Sequence, residues 1–113
     1  MTVGRKFVLN SGSAYDSSAA AFIGQACVLN WVYGFNPTAT DVFLQLHNSL
    51  SLSAGRTAEV SIKLGGGQSF SWAPALDGMR FTAGVSWITS STGPTLTVSG
   101  VAIWLAMMGR DLQ

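Results

Sequence analysis

Residues 57–72 read TAEVSIKLGGGQSFSW, and this stretch decides the fold class. Ala58, Val60, Ile62 and Leu64 alternate with Thr57, Glu59, Ser61 and Lys63, the period of two that a strand with one buried face requires. Gly65, Gly66 and Gly67 then read as a hairpin turn into a second strand, on which Phe70 and Trp72 share a face, before Pro74 and the Asp77-Gly78 turn.

The same signals run outward in both directions. Downstream, Phe81, Ala83, Val85 and Trp87 alternate with Arg80, Thr82, Gly84 and Ser86, so residues 79–89 read as one amphipathic strand followed by the loop SSTGP. Residues 95–107 return as a final strand, with Val101, Ile103, Leu105 and Met107 opposite Leu96, Val98, Ala102 and Trp104. Upstream, Val42, Leu44 and Leu46 alternate with Phe43, Gln45 and His47, and the pattern resumes at Leu50 and Leu52. Before the Asn36-Pro37 turn, FIGQACVLNWVYGF (residues 22–35) places Ile23, Cys27, Leu29, Trp31, Tyr33 and Phe35 on one face and Ala26, Val28 and Val32 on the other. Both faces are apolar, as in a covered sheet or a subunit contact. Residues 4–9 form a short strand, and SGSAYDSSAA after it suits a flexible arm or long loop. About seven strands joined by short turns predict an all-β fold, an antiparallel β-sandwich of jelly-roll type, with an open barrel as the alternative. Residues 1–20 are the expected N-terminal strand and flexible arm, and 21–113 the sandwich domain.

Charge bounds the function. Only 10% of the 113 residues are charged, against roughly 25% in ordinary soluble domains, while 48% are hydrophobic. Mean hydropathy is +0.35. Six basic and five acidic residues are scattered singly apart from Arg5-Lys6, which supplies no nucleic-acid footprint. The apolar run Ala19 to Phe35 is interrupted by Gln25 and Asn30 and falls short of the ~20 residues a membrane helix needs. A polar stretch separates it from Arg5 and Lys6, unlike the layout of a signal peptide. It reads as a buried strand.

No catalytic or metal-binding constellation is apparent. Cys27 is alone, so no disulfide within the chain is possible, and its apolar setting suits a buried thiol. One histidine, one cysteine and five dispersed carboxylates match no metal spacing. His47 with Asp41 or Asp77 and any of many serines could be drawn as a hydrolase triad, a match without specificity. The glycine triplet lacks the lysine or helix start of a phosphate loop. No cofactor is expected. Trp31, Trp72, Trp87 and Trp104 fall within apolar strand faces, which favours core or subunit contact over sugar stacking.

From Asp41 to Thr97 the chain resembles small β-sandwich virion proteins of tailed bacteriophages. The likeness lies in VFLQLHN, then AEVSIKLGGGQSFSW, then GMRFTAGVSWITSSTGPTLT, with Phe81-x-x-Gly84-Val85 leading to a Ser/Thr-rich turn. The resemblance implies a non-enzymatic capsid decoration, head-fibre or tail-associated subunit, located in the virion. It further implies a symmetric homo-oligomer, a trimer, on a lattice of other virion proteins such as the major capsid protein. Low charge and doubly apolar strands agree with burial between copies, and Trp31, Tyr33, Phe35, Trp104 and Met107 are the expected contacts. The alternative is a carbohydrate- or receptor-binding module with Trp72 as a glycan contact. Neither nucleic acid nor membrane is an expected partner.

Overall fold

The computed structural model describes residues 6–10, 20–23, 25–49, 51–74, 78–97, 99, 101 and 103–111, with backbone alone for 6–10, 20–23 and Asp111. The strands are β1 (Lys6–Asn10), β2 (Ala20–Ile23), β3 (Cys27–Phe35), β4 (Val42–His47), β5 (Val60–Leu64), β6 (Ser69–Trp72), β7 (Met79–Phe81), β8 (Val85–Ser90) and β9 (Trp104–Asp111). No helix occurs among the described residues. Seven apolar runs become nine strands because two of them, expected over 22–35 and 79–89, are each cut once.

One sheet has the order β1-β9-β3-β6, with β7 also on β3, and the other β2-β8-β4-β5. All pairings are antiparallel, and the two sheets pack together as a β-sandwich. The two cut runs explain how the sheets are joined. The chain passes from β2 in the second sheet to β3 in the first, and from β7 in the first to β8 in the second. Cys27 pairs with Phe81 on one side of the bend and Ile23 with Val85 on the other, so the two runs cross between sheets side by side. Bends of this kind make the corners of sandwiches. Gly84 takes φ +126° there, a conformation open to glycine alone. The single strand expected over 79–89 is therefore two.

Other expectations also change. Gly65–Gly67 is not a hairpin turn, because β5 and β6 lie in different sheets and do not pair. The Gln68 amide donates to Gly65 O at 3.0 Å and the Gly67 amide to Asn36 O at 2.8 Å, which ties this crossing to the β3–β4 turn. Buried Asn36 secures the same corner: its Nδ2 donates to Thr40 O and Leu64 O, and its Oδ1 accepts from Thr38 N and Oγ1. The final strand begins at Trp104, not at Thr95. β1 pairs along β9 from Lys6↔Arg110 to Asn10↔Ala106, so the N-terminal strand is an edge of the sandwich. Of the expected arm, residues 11–20, Ala20 begins β2 and the rest lies outside the described residues.

Cys27, Leu29, Val32, Phe81, Ile103, Leu105 and Met107 meet Val42, Leu44, Leu46, Leu64, Val85 and Trp87 between the sheets. At roughly 1.5–3 kcal/mol for each large apolar side chain removed from water, this cluster supplies the main folding force. β5 behaves as its alternation predicts, with Ser61 and Lys63 exposed and Leu64 buried.

The second sheet is covered on its outer face as well. Residues 53–58 and 94–97 run together across it: Leu96 N donates to Arg56 O, Gly55 N to Leu96 O and Ala58 N to Pro94 O, with Thr57 bridged to Thr95. Beneath this cover Gln45, His47, Ser86, Ile88 and Ser90 are buried, although alternation alone assigns them to solvent. Part of the low charge is thus explained within one chain, because the sandwich is three layers deep on this side.

Candidate functional site

The outer face of the first sheet carries the site, and a β-bulge creates it. Leu29 pairs with Gly109 but Trp31 with Met108, so β3 spends two residues where β9 spends one, the extra one being Asn30. An inserted residue reverses the alternation beyond it. Cys27 and Leu29 therefore point into the core with Val32, whereas Trp31, Tyr33 and Phe35 turn outward. The single face expected for Cys27, Leu29, Trp31, Tyr33 and Phe35 is divided by the bulge.

Across the strands the outward residues form rows: Trp31 beside Met108, Tyr33 between Ala106 and Ser71, and Phe35 between Trp104 and Ser69. Tyr33 and Trp104 are 38% and 45% exposed, the large hydrophobics left open to solvent among the described residues. The rings are held. Trp31 and Tyr33 lie near parallel with centroids 6.2 Å apart, Phe35 meets Trp104 edge-on at 6.2 Å, and Trp31 Nε1 donates to Ser71 Oγ at 3.0 Å. Rings fixed in this way lose little freedom when something covers them.

Met107, expected among the contacts, is withdrawn from them. It is 0% exposed and packs in the core, because alternation along β9 sends Leu105 and Met107 inward and Trp104 outward. Trp72, the expected glycan contact, pairs with Val32 on the inner face and packs against the core margin. Its neighbour Phe70 lies over Gly34, where a Cβ would collide with the ring.

Two features were hidden in the sequence. The cross-strand register places Lys6, Arg110, Val28 and Arg80 in one row over β1, β9, β3 and β7, which gathers basic residues that look scattered along the chain. The second is the polar cluster under the cover. Gln45 Nε2 donates to the carbonyls of Thr92, Gly93 and Thr95 at 3.1, 2.8 and 3.1 Å. Its Oε1 then accepts from His47 Nε2 at 3.0 Å, which sets the histidine tautomer. Burial holds the His47 imidazole below its ordinary value; the nearby Arg56 charge adds to the depression and Glu59 opposes it. No carboxylate bonds to His47 among the described residues, and Ser86 Oγ is engaged by Ser49 O. The described residues hold no group of three metal-ligating side chains.

Comparison of the chain with protein-family models, with curated proteins and with solved structures gave no match.

Proposed function

We propose that this protein is a non-enzymatic virion structural subunit that self-associates through the outer face of its first sheet. The observation that carries the reading is the row Trp31, Tyr33 and Phe35, turned outward by the bulge and extended by Trp104. Aromatic rings with few rotatable bonds, already held in place, are the residues that dominate protein interfaces. The resemblance of residues 41–97 to phage virion sandwiches supports the setting: a homo-oligomer, a trimer, seated on a capsid or tail lattice beside the major capsid protein. The engagement of His47 by Gln45 supports a role without catalysis.

Size-exclusion chromatography with light scattering at micromolar concentration tests it. A mass that is a multiple of the 11.9 kDa chain is expected, and a strictly monomeric species overturns the proposal.

A second reading rests on the parallel Trp31 and Tyr33 rings and the Ser71 tie, which form a ready platform for sugar rings. On this reading the glycan contact moves from Trp72 to Trp31 and Tyr33. Glycan-array binding lost in Trp31→Ala but kept in Trp72→Ala, with both variants folded, would favour it over self-association.

A further inference from the structure

The polar cluster under the cover of the second sheet is built around a single titratable group. His47 is 0% exposed. Its Nε2 proton is given to Gln45, and its Nδ1 is buried without a hydrogen-bond partner. Gln45 is in turn the clasp of the cover, since its amide reaches three carbonyls between Thr92 and Thr95. The groups facing His47 come from several elements. β8 sets Ser86 opposite it. The covering segment contributes Arg56, whose Nη2 donates to Asn48 O and whose own carbonyl accepts from Leu96 N. Glu59 stands 3.6 Å from Arg56 and accepts from the Asn48 amide. Residues 91–97 contain no titratable side chain. Arg56 thus belongs to the cover and is also the cation nearest in effect to His47.

We propose that His47 is an acid-sensitive release for this cover: a proton taken from solvent at Nδ1 sets a second cation beside Arg56 and loosens residues 53–58 and 91–97 from the sheet. The new Nδ1–H finds no acceptor in the closed arrangement, and a buried donor without a partner is disfavoured. Glu59 offsets part of the repulsion but is already engaged by Arg56 and the Asn48 amide. In the open arrangement the imidazole is hydrated and both of its protons are satisfied. Opening uncovers Ile88, Leu96 and the buried hydroxyls of Ser86 and Ser90.

Amide hydrogen exchange on the full chain, corrected for intrinsic rates, tests this between pH 7.5 and pH 5. The amides of Gly55, Ala58 and Leu96 report on the cover, and those of Val32 and Met107, each paired on both sides, on the core. One linked proton lowers cover protection by up to about tenfold per pH unit below roughly pH 6.5, and cover protection stays below core protection throughout, because the core amides exchange only on global unfolding; equal protection at the two overturns the proposal. The variant His47→Gln keeps a side-chain donor and cannot titrate, so its cover protection should not change with pH. Cover protection independent of pH in the wild type, or the same dependence in His47→Gln, overturns the proposal. If that variant does not fold, the imidazole resonances of the wild type decide: proton uptake in step with loss of cover protection sustains the release, and uptake without it overturns it.

Discussion

Replacing Tyr33 and Trp104 together by serine separates assembly from folding, because these two side chains are open to solvent in one chain and closed in the proposed contact. A Trp or Tyr side chain presents about 200–250 Å² when fully accessible. With 45% of Trp104 and 38% of Tyr33 exposed, about 190 Å² of largely apolar surface per copy remains to be covered, worth about 5 kcal/mol at ~25 cal/mol per Å². If half of that is realised, two copies that both contribute the face lose about 5 kcal/mol of association, which weakens binding by more than about three decades. The cost to the fold is much smaller. Loss of the Phe35–Trp104 edge contact and of cross-strand pairing around Tyr33 removes about 1–2 kcal/mol, and the inter-sheet core is untouched. Light scattering over a dilution series, with urea unfolding of the same samples, reads both quantities. The double variant should be folded and monomeric where the wild type is assembled. An unchanged mass profile, in a variant that unfolds normally, would refute this face as the interface.

Three further outcomes are expected. Gln45→Leu leaves Thr92 and Thr95 carbonyls with hydroxyl donors from Ser90 and Thr92 but strips Gly93 O and His47 Nε2 of their partners. One buried orphan at His47 and a half-buried one at Gly93 cost about 1–4 kcal/mol together, seen as a fall in the urea midpoint, and a change under ~0.5 kcal/mol would contradict the clasp. Gly34→Ala drives a methyl into the Phe70 ring and should destabilise by about 1–3 kcal/mol, with partial rescue by Phe70→Leu in a double-mutant cycle; additive effects would place the ring elsewhere. Because the folded-state pKa of His47 is lowered, the unfolded chain binds more protons below about pH 6.5, so stability is full above that value and declines as pH falls toward the lowered one. Urea midpoints from pH 8 to pH 5 should show this in the wild type, and the His47 contribution should vanish in His47→Gln.

The all-β class was legible in the sequence because side-chain alternation is a local property of a strand: Val60, Ile62 and Leu64 against Ser61 and Lys63 need no knowledge of their partners. The outward aromatics were legible as a surplus, two apolar faces on one strand, but not as a surface. Which face Trp31 and Tyr33 occupy depends on Asn30 being left over when β3 pairs with β9, and a bulge exists only between two strands. The burial of Gln45 and His47 was likewise out of reach, since a polar residue at an outward position reads as solvated until a distant segment, here 91–97, is laid over it. Sequence by itself determined the all-β class and the shortage of charge. Tertiary structure alone decided which apolar face was enclosed, where the chain changed sheets and which polar groups lost water, because each of these is settled by pairing between residues far apart in the chain.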